Sequence, residues 1–267
     1  GAAAPHGIAG PGPASRGTQL CQARGDDFAT HRLTEASPRI WRPSIMERPK
    51  VVAFDVIETL FSLDAVKAEF DAAGLVSPAL NLWFATGLRD TFALAASEAY
   101  APFRDVLAAA LDEVSAILGQ PLDEAQKEKI LDAVSAMTPH ADVEPALAQL
   151  GRAGIRVIAL SNGSTAIATR LIEGAGLEAT FERILSADGV GRSKPHPDVY
   201  RHAADSAGVK PGETMLIAAH PWDVHGAKSA GLLAGYVDRG RPYPGFMQVP
   251  NFAEHSLDRL VELVLVS

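Results

Sequence analysis

The chain predicts the α/β class: a Rossmann-like parallel sheet flanked by helices, with a helical cap inserted after the first strand. Three observations predict it. Short apolar runs recur, and each one stops at polar residues. Helical patterns separate most of these runs and close on glycine, as helices often do. Between the first run and the second lies a long Ala/Leu-rich stretch with helical spacing and no β-branched runs.

The first run, "VVAF", leads to Asp55. A continuous apolar run of this length fits a strand buried on both faces. Residues 63–138 fit about four helices, divided near Gly74 to Pro78, Ala101 to Pro102 and Gly119 to Pro121. An insert of this kind can pack over a sheet edge and close a site against water. From about residue 141 to 240 an α/β repeat follows. "RVIAL" leads to Ser161 and Asn162, "ERIL" to Ser186 and Asp188, "TMLIAA" to His220 and Asp223, and "LAGYV" to Asp238. The helices between are "STAIATRLIEGAG", "PDVYRHAADSAG" and "DVHGAKSAG". The expected division is a core of residues 46–62 and 139–267 and a cap of 63–138. Ligands of open parallel sheets bind beyond the carboxyl ends of the strands. Asp55, Ser161, Asn162 and Asp223 would share that rim.

Bulk properties narrow the function. At 267 residues, with 47% hydrophobic, the chain can bury a sizeable core. A net charge of -8 offers no basic excess to displace phosphate counterions, so no nucleic-acid partner is expected. No apolar stretch of about 18 residues is present, so no membrane span is expected. The single cysteine, Cys21, excludes an intramolecular disulfide and fits a reducing cytoplasm. Residues 1–45 are Gly/Ala/Pro-rich and read as a poorly ordered extension, with Met46 as the expected native start. A homodimer is the commonest assembly for such a chain.

Taken alone, Asp55 at a strand end is either a nucleophile, ionised at neutral pH without help, or a cap for the next helix. Ser161 and Asn162 either bind an anion or cap the helix that starts near Ser164.

Four motifs in order, "FDVIETLF", "LSNGS", "KPHPDVY" and "PWDVHGA", resemble those of the haloacid dehalogenase superfamily, and within it the type II 2-haloacid dehalogenases. The likeness runs from about Val51 to Val237. It implies that Asp55 is the nucleophile and that Thr59 supports the loop after it. It implies that Ser161 and Asn162 hold the substrate's acidic group and that Lys194 balances the carboxylates, with Tyr200 close by. Asp223 would lie opposite Asp55 and orient water. The implied activity is metal-independent displacement of halide from a small 2-haloalkanoic acid through an aspartyl ester. The partner is a small carboxylate, and no cofactor is expected. The alternatives are a phosphatase with residual Mg²⁺ use, or a non-catalytic ligand-binding member.

Departures from the pattern sharpen this. Superfamily phosphatases carry a second aspartate where Ile57 stands, to protonate a leaving alkoxide; a halide needs no proton. Their acidic Mg²⁺ ligand is replaced by Ala219. Glu58 stands where the dehalogenases have glycine, and His220 where they have asparagine. His220 is either a proton acceptor or a structural hydrogen-bonding group. Trp222 is either packing or a substrate contact. Phe84 occupies the place of the halide-binding arginine. Arg89 lies about 140° further around that helix, which leaves Arg104 and Arg192 to reach the site.

Overall fold

The computed structural model describes Gly1 and residues 48–267, so the expectations for the N-terminal extension and for Met46 fall outside the described residues. Strand β1 (Val51–Phe54) is fully buried and lies in mid-sheet. Short β2 (Phe61–Ser62) follows, then four helices: α1 (Asp64–Ala72), α2 (Ala79–Ala96), α3 (Phe103–Ile117) and α4 (Glu124–Ala133). Strand β3 (Thr138–Pro139) pairs antiparallel with β2, so the chain enters and leaves the helical insert at one point.

The chain continues through α5 (Val143–Arg152), β4 (Arg156–Ser161), α6 (Thr165–Gly174), β5 (Arg183–Ser186) and α7 (Pro197–Ser206). Then come β6 (Thr214–Ala218), α8 (Pro221–Ser229), β7 (Leu233–Val237), β8 (Phe252–Glu254) and α9 (Leu257–Val266). The main sheet has the order β5-β4-β1-β6-β7-β8, and every pairing in it is parallel. The chain returns to opposite sides of β1 through β4 and β6, so the rim at β1 is a switch point where the strand order reverses. The α/β repeat read to about residue 240 extends further than expected. β8 adds a sixth strand, and α9 buries Leu257, Leu260, Val261 and Val264, an i, i+3, i+4, i+7 stripe.

Alternation along the strands builds two cores. Val52, Phe54, Val157, Ala159, Met215 and Ile217 face one cluster, shared with α5, α6, α9 and the insert. Val51, Ala53, Ile158, Leu160, Leu216 and Ala218 face the other, with α7 and α8. Both faces of the sheet are covered, which explains why its strands read as unbroken apolar runs. Helices α6, α7 and α8 are followed by Gly176, Gly208 and Gly231, all at positive φ, which end them in the left-handed conformation glycine adopts freely. Among the described residues no helix is long and apolar enough to cross a membrane.

Gly226 fixes how closely α8 approaches α7. A Cβ there would lie 2.5 Å from the Tyr200 hydroxyl and 2.8 Å from Pro195. Gly226→Ala is therefore expected to lower stability by about 1–3 kcal/mol through overpacking, read by denaturant titration. An unchanged midpoint would show that the two helices can part at no cost.

Candidate active site

β1 ends and the chain turns outward at Asp55, whose N–H still donates to the Ile217 carbonyl on β6 at 3.1 Å. Asp55 caps no helix, because the next one begins only at Asp64. Its side chain is 7% exposed and receives three donors. The Thr59 hydroxyl donates to Oδ2 at 2.6 Å, Lys194 Nζ to Oδ1 at 2.7 Å, and His220 Nδ1 lies 3.2 Å from Oδ2. Thr59 is held in turn by the N–H of Ala219, at 2.9 Å.

Lys194 is wholly buried. Its ammonium spends three protons on three acceptors: Asp55 Oδ1 and Asp223 Oδ2, each at 2.7 Å, and the Leu160 carbonyl at 3.0 Å. The loop that carries it is clamped by Asn162, whose Oδ1 accepts from the Lys194 N–H at 2.8 Å and whose amide reaches the Lys194 carbonyl at 3.5 Å. Asp223, also fully buried, accepts from the Tyr200 hydroxyl at 2.6 Å. Tyr200 thus stands behind Asp223 rather than on the cavity wall. Ser161 Oγ accepts from the Gly163 N–H at 2.9 Å. Capping of α6 falls to Ser164, which leaves Ser161 and Asn162 in the cavity lining.

Glu58 and Arg241 complete the cluster, and the sequence reading missed both partnerships. Glu58 holds a left-handed backbone, φ 63°, which few non-glycine residues adopt. Its Oε2 lies 2.8 Å from His220 Nε2, and its Oε1 accepts from Arg241 Nη2 at 2.6 Å. Both ring nitrogens of His220 therefore face carboxylates. A neutral imidazole has only one N–H, so two hydrogen bonds require the imidazolium. The departure of Glu58 from glycine was visible in the sequence. No local signal connects it to Arg241, 183 positions away.

The electrostatics follow from this packing. Burial raises the Asp55 pKa, but the Lys194 charge and the His220 hydrogen bond outweigh it and hold the carboxyl well below its usual range. Burial pushes Lys194 down, while Asp223 and Asp55 more than reverse it. Asp223 is pushed up by its burial and by the Asp55 charge, against the pull of Lys194. His220 loses from burial yet is pushed up to about 9 by its contacts with Asp55 and Glu58.

Asp55, Ser161, Asn162 and His220 line a cavity of about 10 Å³, room for roughly one water. The rest of its wall is Ile57, Phe84, Leu88, Phe103 and Trp222. Phe84 stacks on His220 at 6.1 Å, and Trp222 packs edge-on to Phe92 at 4.9 Å. The buried Nε1–H of Trp222 has no hydrogen-bond partner. Arg89 and Arg104 do not reach this wall; Arg89 pairs with Asp90 and Glu113, and Arg104 with Glu128 and Asp132. Arg192 donates to the neighbouring Gly191 carbonyl. Among the described residues no group of three or more His, Cys, Asp or Glu side chains is disposed to hold a metal.

A family model described as haloacid dehalogenase-like hydrolase matches residues 49–231. The chain belongs to that family. Haloacetate dehalogenase H-2 of Moraxella sp. (strain B) is 27% identical over 226 residues, 83% of this chain and 100% of the relative. An (S)-2-haloacid dehalogenase of Xanthobacter autotrophicus is 31% identical over 192 residues, 71% of this chain and 75% of the relative. The solved L-2-haloacid dehalogenase of X. autotrophicus with chloropropionic acid covalently bound superposes with TM-score 0.72 at 27% identity, covering 81% of this chain and 98% of that one. The L-2-haloacid dehalogenase RSc1362 superposes with TM-score 0.76 at 26% identity, covering 81% and 99%.

The imidazolium gives a pH test with a definite sign. The folded pKa of His220 is raised, so its contribution is fully present below the ordinary value of 6.5 and is lost as pH rises through about 9. The stability advantage of the wild type over His220→Asn is expected to shrink by on the order of 3 kcal/mol between pH 6 and pH 10. Urea titrations across that range check it. A gap that does not change with pH would mean the ring is neutral.

Proposed function

We propose that this protein is a metal-independent 2-haloacid dehalogenase that works through an ester on Asp55. The observation that carries the reading is the state of Asp55. It is an ionised carboxylate at the switch point, faced by a closed and largely apolar wall, with Ile57 where an acid/base would otherwise stand. A carboxylate so held needs no general base to attack. Isoleucine gives no proton to a leaving group, which suits a halide and penalises an alkoxide by the 10²–10⁴ or so that a positioned acid supplies.

In the first step an Asp55 oxygen attacks C2 of the haloacid, and the carbon–halogen pair leaves as halide. The unpaired Trp222 Nε1–H is the donor available to an anion at that wall. Phe84, Leu88 and Phe103 exclude water from the reacting carbon, which strengthens every charge interaction inside. The cavity is too small for a haloacid in this closed form, so the helices of the insert part to admit one.

Ester formation removes the charge of Asp55. His220 then faces one carboxylate instead of two, its pKa falls, and its Nδ1 proton passes to solvent. The neutral ring takes a proton from a water that attacks the ester carbonyl, with Glu58 stabilising the imidazolium as it re-forms. Collapse releases the hydroxyacid and restores Asp55 as a carboxylate. The balance is one haloacid and one water to one hydroxyacid, one halide and one proton. Lys194 offsets charge on Asp55 and Asp223 throughout, and Tyr200 and Thr59 keep those carboxylates in place.

A single turnover with excess enzyme in ¹⁸O water tests the ester. With 2-chloropropionate the first hydroxyacid is expected to carry unlabelled oxygen from Asp55, and Asp55→Asn is expected to lower halide release at least about 10³-fold. Label in the first product would refute a covalent route.

A further inference from the structure

Arg241 lies outside every motif in the sequence and outside the cavity wall. It sits in the loop after β7, with its side chain 43% exposed. Its backbone is nonetheless pinned at both polar atoms. The N–H donates to Asp238 Oδ1 at 2.9 Å, and the carbonyl accepts from the Tyr236 hydroxyl. Gly240, at φ 90°, makes the tight turn that brings the arginine back over the rim. From there Nη2 reaches Glu58 Oε1 at 2.6 Å, while Oε2 of the same carboxylate meets His220.

An exposed Arg–Glu pair is ordinarily worth little. This one differs in its acidic partner, which is 17% exposed and in contact with a ring that touches the nucleophile. A glutamate side chain has three rotatable bonds, and here it starts from a left-handed backbone. Without a second anchor, nothing in its own geometry keeps Oε2 against His220. Fixing the remaining oxygen from a rigid turn removes that freedom, in the way an outer hydrogen bond orients an inner ligand.

We infer that Arg241 is a positioning residue for ester hydrolysis, holding Glu58 so that the Glu58–His220 pair is aimed at the ester on Asp55. The inference rests on the reading under Proposed function. It assigns Arg241 to the second half-reaction alone. Arg241 touches neither Asp55 nor the cavity, so halide displacement should proceed without it.

The experiment follows halide release and intact-protein mass after rapid acid quench, for the wild type, Arg241→Ala, Arg241→Lys, Glu58→Gln and the Glu58→Gln/Arg241→Ala double variant, with 2-chloropropionate. Arg241→Ala is expected to keep the first-turnover burst of one halide per site. Its steady-state rate should fall about 10- to 100-fold, part of what a positioned base contributes, and the enzyme should accumulate at the mass of the ester. Arg241→Lys should recover part of that rate, because an ammonium still pairs with Glu58. The double variant should be no slower than Glu58→Gln, because both changes disable one unit. Arg241→Ala turning over at the wild-type rate, or losing the halide burst along with hydrolysis, overturns the positioning role and leaves the proposed function standing. So does a double variant whose losses multiply. A wild type that releases no halide refutes the proposed function itself, and the inference with it.

Discussion

One buried ammonium holds this site together. Lys194 lies between Asp55 and Asp223 at equal distance from both, and its third proton goes to the Leu160 carbonyl. Two carboxylates this close would not both stay ionised without it. Taking three charges out of water is expensive, and only complete hydrogen bonding makes it tolerable. Each ion in the cluster has that. Asp55 is completed by Thr59 and His220, Asp223 by Tyr200, and the lysine's own loop by Asn162. The fold supplies the means: β1, β4 and β6 end side by side, so residues from distant parts of the chain meet at one switch point.

A second charged unit is built onto the first. Glu58, His220 and Arg241 extend the line from Asp55 to the protein surface. Counting formal charges, the acids Asp55, Asp223 and Glu58 are matched by Lys194, His220 and Arg241. The site is neutral before an anionic substrate arrives. Covalent chemistry at Asp55 would disturb that balance and transmit the disturbance to His220. Under the proposed mechanism, a ring held cationic by two carboxylates would become a base once one of them is esterified. In that proposal Asp55, His220 and Glu58 would act as nucleophile, base and orienting acid, the arrangement common to hydrolytic triads.

The insert contributes the opposite character. Phe84, Leu88 and Phe103 come from α2 and α3 and place apolar surface directly over the ions. Its arginines stay on the outside, neutralised by neighbouring acids. Low polarity above and dense charge below make the contacts of Asp55 stronger than they would be in water.

Much of this was legible from residue order. Continuous apolar runs ending in polar residues specify buried parallel strands, and the motif residues Asp55, Thr59, Ser161, Asn162, Lys194, Tyr200 and Asp223 stand close together around the rim. The stripe on α9 went unread although its period stands in the sequence, and three-residue β8 was too short to carry one. Tertiary structure alone decided the rest. Hydrophobic periodicity is a local property, so sequence reveals which face is buried and where a strand stops. Pairing of charges depends on which loops cross the rim and how far each side chain extends. That is why Arg241 could not be joined to Glu58, nor His220 recognised as a cation, until the chain was folded.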